Sequence, residues 1–297
     1  MDFQIFMQQF VNALSLGSLY ALIAIGYTMV YGILRLINFA HGDVFMIGGY
    51  LAFYAVTAFM MPWWVAVIAA IGMTTLFGMG LERVAYRPLR DSPRISIMIS
   101  AIGASFLIEN LAIVLFDARP KAFPVPDFFA STFVLGDVHI SMVSIIIPVV
   151  TAIILAALLW VIYRTKTGMA MRAVATDIDA ARLMAIDVNR IVSITFAIGS
   201  ALAAVGGIMW AMKYPRLEPL MGIMPGLKCF IAAVIGGIGS IAGAVLGGLL
   251  LGIIELMTIA FLPEFTGYKD AFAFVLLIVV LLVKPTGLLG KNQGEKV

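Results

Sequence analysis

Six stretches of about 20 residues or more run through this chain with few or no charges, and that pattern alone dictates a membrane-spanning fold. They cover roughly Phe10 to Leu34, Leu36 to Met60, Trp63 to Leu81, Ile95 to Phe116, Met142 to Tyr163 and Ile191 to Met212. Composition closes off the soluble alternative. Hydrophobic residues make up 63% of the 297 and charged residues 12%, against about 25% charged in an ordinary soluble domain. Too little polar surface remains to clothe a water-soluble exterior. Beyond Tyr214 the pattern is less regular: Gly226 to Leu262 is too long for one span and is interrupted by GGIGSIAG, while Ala271 to Val283 is short. Two or three further segments are expected there, giving an all-α polytopic bundle of about 8–9 spans.

Lysine and arginine set the orientation, because they concentrate in cytoplasmic loops. Arg83, Arg87, Arg90 and Arg94 lie in one loop and Arg164, Lys166, Arg172, Arg182 and Arg190 in another, so two loops hold nine of the 19 basic residues. Both are expected inside, with the proline-containing loop Asp117 to His139 outside. Counting back puts the N-terminus outside. A cytoplasmic tail carrying Lys284, Lys291 and Lys296 then requires nine crossings or a re-entrant piece, and either Leu36 to Met60 or Gly226 to Leu262 could be the broken element. The N-terminal MDFQIFMQQF has no basic region or cleavage site of a secretory signal, so the first segment is expected to be retained. Nothing reads as a linker to a second domain, and residues 1–297 are expected to form a single transmembrane domain with a cytoplasmic loop at 164–190.

The charge balance of +3 is carried between apolar blocks and leaves no nucleic-acid footprint. Cys229 is the single cysteine, and His41 and His139 the only histidines, which excludes a disulfide framework and makes a metal cage unworkable. No phosphate-binding loop, nucleophile elbow or zinc-protease helix occurs. The chain is expected to hydrolyse nothing and to need no cofactor.

Polar residues inside apolar segments are the candidates for function, because ionisable groups are expensive in a bilayer. LINFAHGDVFMIGGY places Asn38, His41 and Asp43 together. On a continuous helix His41 and Asp43 point about 200° apart, and Gly42, Gly48 and Gly49 suggest an irregular backbone, tolerated at membrane depth only against protein or a water-filled cavity. Two readings stay open: Asn38 to Asp43 shapes a translocation path, or it lies at the cytoplasmic interface with His41 and Asp43 capping backbone groups. Glu109 and Asn110 form the best polar pair inside a span, either on that path or bonding between helices. Glu255 sits nearer a helix end, where partial solvation is expected. Gly239, Gly243 and Gly247 recur every fourth residue, and Gly248 and Gly252 repeat the spacing, which reads as a helix-packing face.

In the second basic loop, RTKTGMAMRAVATDIDAARLMAIDVNR, Asp177 to Ile186 reads as a short helix with Asp177 and Asp179 at its positive end. Ala180, Ala181, Leu183, Met184 and Ile186 offer an apolar surface for a docked partner or for the bilayer.

Four separated motifs now stand in order: LINFAHGD with MIGGY, GMAMRAVATDIDAARLMAID, ITFAIGSALAAVGGIMW, and GLKCFIAAVIGGIGSIAGAVLGGLLLGIIE. Together they strongly resemble the permease subunits of branched-chain amino-acid ABC importers, specifically the shorter Liv-type permease. The resemblance implies a type II ABC importer-like core in the bacterial inner membrane. This chain would pair with a second related permease subunit, two cytoplasmic ATP-binding subunits and an extracytoplasmic solute-binding protein, and would pass leucine, isoleucine or valine. Asp177, Asp179, Ala180, Ala181, Arg182, Leu183 and Asp187 would belong to the coupling helix seated on one ATPase. The family pattern usually has glycine where Ala185 stands and proline where Ala242 stands. Relatives that import urea, short amides or other amino acids share the LNFAHGD and GGIGS motifs, so those substrates are the alternative. A self-sufficient secondary transporter, with Asp43, Glu109 and Glu255 binding coupling ions near the midplane, is the contrasting class.

Overall fold

The computed structural model describes residues 3–90, 92–135 and 138–290. Helix α1 (Phe3–Leu34) is followed by α2 (His41–Thr57) and α3 (Trp63–Leu81), which runs on through a π-helical turn (Glu82–Tyr86) and a 3-10 turn (Arg87–Leu89). Then come α4 (Arg94–Phe116), a loop holding β1 (Lys121–Ala122), α5 (Asp127–Ala130) and the hairpin β2 (Thr132–Leu135) and β3 (Val138–Ser141), and α6 (Met142–Arg164). The short α7 (Lys166–Thr176) and α8 (Ile178–Leu183) lead to α9 (Val188–Lys213), β4 (Arg216–Leu217), α10 (Ile223–Gly236), α11 (Ile241–Phe261), a 3-10 turn (Pro263–Tyr268) and α12 (Lys269–Val283).

Seven of the described helical stretches are long and apolar enough to cross a bilayer, and α2 and α10 add two shorter ones. The two basic loops share one end of the molecule, where Arg90 donates to the Asn189 side chain at 2.7 Å. At the other end β1 pairs antiparallel with β4, tying the α4–α6 loop to the segment entering α10. The chain is therefore a multi-pass membrane protein, with a count of spanning and shorter helices close to the 8–9 expected. Lys291 and Lys296, used in the parity argument, lie outside the described residues.

Both segments suspected of being broken are broken. Helix α2 does not start at Leu36. It starts at His41, whose ring packs so closely on Gly26 that a Cβ there would lie 2.6 Å from it. Gly26 is eight residues before the end of α1, about 12 Å in from that end, so Arg35–Ala40 doubles back into the bundle as non-helical chain. A positive φ of 54° at Arg35 makes the reversal. On the far side, α10 begins against the same point. A Cβ on Gly42 would lie 2.6 Å from the Gly222 carbonyl oxygen, and one on Gly226 would lie 2.9 Å from the Gly42 Cα. The 17 residues of α2 and 14 of α10 reach about 25 and 21 Å, short of a hydrocarbon core of about 30 Å. They are half-helices whose N-termini meet inside the protein and run outward in opposite directions.

Small residues set the remaining contacts, because in lipid close backbone approach is what holds helices together. Gly243 and Gly247 face α10, while Gly248 and Gly252 face α1, where added Cβ atoms would strike the backbone at Ala21 and Gly17. Gly239 does not belong to this face. With Gly237 it breaks the helix, at φ of 92° and 105°, and Ser240 then caps α11 by accepting from the Gly243 N–H at 3.1 Å.

The short elements of the second basic loop follow from their caps. The Asp177 carboxylate accepts from the N–H groups of Asp179 and Ala180, both at 3.0 Å, and starts α8; Asp187 accepts from the Arg190 N–H at 3.1 Å and starts α9. Helix α8 ends in a Schellman arrangement, with Ile186 N–H bonded to the Ala181 carbonyl at 3.1 Å and Ala185 N–H to that of Arg182 at 3.0 Å. Its left-handed residue is Ala185, at φ 57°, where glycine would carry no Cβ penalty. Ala185→Gly is expected to stabilise this turn by about 1 kcal/mol, read as slower amide exchange at Met184–Ile186 with uptake activity retained.

Candidate translocation site

Where the two half-helices meet, a cavity of about 220 Å³ opens. Its wall is mostly apolar, from Ile37 and Phe39 in the reversal, Ile102 and Phe106 on α4, and Leu227 and Phe230 on α10. Two carboxylates interrupt it, Asp43 from the first turn of α2 and Glu109 from α4. Asp43 is 3% exposed and accepts from the Ser105 hydroxyl at 2.6 Å. Ser105 is one helical turn before Glu109, so a single serine sits between the two acids. The backbone freed by interrupting α2 and α10 is thus placed against protein and a cavity, the only setting in which irregular chain is stable at membrane depth.

The polar residues of LINFAHGD have separate partners. Asn38 is buried and accepts from the Tyr86 hydroxyl at 2.6 Å, while its own carbonyl accepts from the His41 N–H at 3.1 Å. His41 is buried edge-on against Tyr27, with ring centroids 4.5 Å apart, and its Nε2 has no hydrogen-bond partner. Gly42 is the contact with α10. No side chain caps α2, so Asp43 does not cap it and turns to α4 instead.

Glu109 and Asn110 are not a pair. Neighbouring residues on a helix point about 100° apart, and while Glu109 faces the cavity, Asn110 faces outward and donates to the Phe106 carbonyl of its own helix at 2.7 Å. Glu255 is not solvated. It is 5% exposed and held by Lys228 of α10 at 2.8 Å and the Tyr20 hydroxyl of α1 at 2.8 Å, with Lys269 at 3.5 Å. Lys228 also reaches Asp270 of α12 at 2.6 Å. Sequence reasoning missed Lys228, although a lysine within GLKCFIAAVIG is itself the signal that a carboxylate waits nearby. It also missed Ser105, legible as the residue one turn before Glu109, and Tyr86.

In the second basic loop, Asp179, Ala180, Arg182, Leu183 and Met184 of the α8 region are exposed, Leu183 at 87%. Arg182 approaches Asp179 at 3.4 Å. Ala181 does not join this surface: it is 3% exposed, and Ile186 likewise packs on the core. Ala180 has Leu183 and Met184 three and four positions on, on its own face of the helix, and these three exposed residues form the outward apolar patch. Among the described residues no group of His, Cys, Asp and Glu could hold a metal ion.

Comparison with known proteins adds a family. Residues 9–281 match the model described as the permease component of the branched-chain amino acid transport system. The chain is 47% identical to the high-affinity branched-chain amino acid transport system permease protein BraD of Pseudomonas aeruginosa, covering 98% of each. It is 45% identical to the correspondingly named LivH of Escherichia coli K12, over 100% of this chain and 99% of that one. LivH of Salmonella typhimurium is 44% identical over the same shares.

Proposed function

Because this chain belongs to the permease-component family of branched-chain amino acid transport systems, and is therefore a translocation subunit of the inner membrane, we propose that it forms the path by which an ATP-driven importer passes leucine, isoleucine and valine. The observation that carries this reading is the cavity between the two half-helices, since transporters build substrate sites where interrupted helices expose backbone near the midplane. Its chemistry suits an aliphatic amino acid. Asp43 and Glu109 meet the α-ammonium group, and the surrounding phenylalanine and isoleucine side chains accept the branched side chain. Asn38, His41 and Gly42 shape the gate from behind.

In this reading residues 1–297 are a single transmembrane domain and 164–190 the loop that couples it to nucleotide hydrolysis. Two ATP-binding subunits supply the work, a second related permease completes the core, and an extracytoplasmic binding protein delivers substrate. The exposed patch of Ala180, Leu183 and Met184 seats in an apolar groove of one ATPase. Burying a charge there without a partner costs several kcal/mol, and each 1.4 kcal/mol is tenfold in binding.

Leu183→Glu is accordingly expected to lower leucine uptake by more than about tenfold, with the chain still folded and in the membrane. Uptake of labelled leucine into cells lacking their own importers, alongside co-purification of the ATPases, checks this. Unchanged uptake in the variant overturns the docking role. Uptake of urea or short amides in preference to leucine replaces the substrate, and gradient-driven transport by the chain alone in vesicles replaces the importer reading with a secondary transporter.

A further inference from the structure

One connected set of hydrogen bonds, exposed at Asn189 and buried at Asn38, runs from the cytoplasmic coupling loop to the reversal that positions α2. Just after α8, Asn189 and Ser193 stand one turn apart on α9. Asn189 accepts from Arg90 at 2.7 Å and Ser193 donates to Glu82 at 2.8 Å. Arg90 and Glu82 are themselves paired at 2.8 Å. Glu82 is fully buried at the first position of the π-helical turn, and Tyr86, at its last position, is 2% exposed and rests on Phe196 of α9 with centroids 5.2 Å apart. The Tyr86 hydroxyl then donates to Asn38, whose carbonyl receives the first N–H of α2.

A π-turn is an energetically poor helix, commonly found at functional positions. Here it places a buried carboxylate and a buried tyrosine on the same side, so that one element grips α9 with one residue and the reversal with the other. Each grip is a specific hydrogen bond rather than general packing, and the carboxylate is satisfied from two directions by Arg90 and Ser193.

We propose that Glu82, Tyr86 and Arg90 are positioning residues that transmit displacement of the coupling loop to Asn38, and through it to the half-helix bearing Asp43. The proposal rests on the importer reading above. When the ATPases move α8 and the start of α9, the π-turn moves with Asn189 and Ser193, and the Tyr86–Asn38 bond draws the reversal with it. Transport then depends on this linkage while nucleotide hydrolysis does not.

The test uses the full importer in proteoliposomes, with ATP hydrolysis and labelled leucine uptake measured on the same preparation. Tyr86→Phe removes a single hydroxyl and keeps the ring on Phe196. It is expected to leave hydrolysis within about twofold of the unaltered complex and to lower uptake about tenfold, inside the 5–150-fold range of typical couplings. Asn38→Ala is expected to lower uptake similarly, and the double variant no further, because both cut the same link. Arg90→Ala is expected to raise the ATP used per leucine, with Arg90→Lys recovering part of the loss. An unchanged ratio of uptake to hydrolysis in Tyr86→Phe overturns the proposal, as does additive loss in the double variant or a parallel fall in both activities. Failure of the unaltered complex to take up leucine with ATP instead overturns the importer reading.

Discussion

Lys228→Met is expected to destabilise the folded chain by about 3–5 kcal/mol, the usual cost of removing one partner from a buried ion pair. Lys228 and Glu255 have side chains only 7% and 6% exposed, and the lysine joins α10 to both α11 and α12 through Glu255 and Asp270. Without it Glu255 is a buried carboxylate held by the Tyr20 hydroxyl, with Lys269 as its remaining cation at 3.5 Å. Lys228→Met combined with Glu255→Gln removes the deeply buried of the two stranded charges, Asp270 being 39% exposed, and lets the amide oxygen keep the Tyr20 bond. At least half of the lost stability is expected to return. Denaturant titration in detergent micelles, followed by tryptophan fluorescence, measures both. A single variant as stable as the unaltered chain, or a double variant less stable than the single, would show that packing rather than charge holds α10 in place.

The second large effect is on transport. Asp43→Ala is expected to reduce leucine uptake by about a hundredfold, corresponding to nearly 3 kcal/mol, since a charge-assisted hydrogen bond is worth about 1.5–3 kcal/mol and Asp43 is the more buried of the two carboxylates. Asp43→Asn keeps an acceptor for Ser105 but not the negative charge, and is expected to lose nearly as much. Equal losses assign the effect to charge; full activity in the asparagine variant would assign it to the hydrogen bond with Ser105 and would remove ammonium recognition from Asp43. Uptake assays at several leucine concentrations separate weakened binding from slowed turnover.

Most of the bundle was legible because a bilayer leaves one solution to an apolar run of 20 residues. The length of α3, α4, α6 and α9 follows directly from that. What hydropathy could not see was backbone conformation inside apolar sequence. Leu36, Ile37 and Phe39 are as apolar as any helix, yet they line a reversal, because Arg35 turns the chain and Gly42 allows α2 to begin against α10. Glu255 was misjudged for a similar reason: its burial depends on Lys228, 27 residues earlier, and not on its distance from a helix end. Ala181 looked like part of the docking patch because a six-residue helix carries too few residues for its buried face to be read from period alone. The hairpin β2–β3 was not legible in a loop marked by three prolines. Within the site, Asn38, His41, Gly42, Asp43 and Glu109 were visible as polar or small residues in apolar surroundings, while the link through Tyr86 required knowing which helices meet.

The enclosure of α1 has a consequence for biosynthesis. Its main partner is α11, whose Gly248 and Gly252 meet Ala21 and Gly17 across more than 200 intervening residues. The small-residue seam of α1 therefore stays without this partner until more than 200 further residues have been made. Closing the seam then makes the placement of α1 depend on a helix inserted long after it.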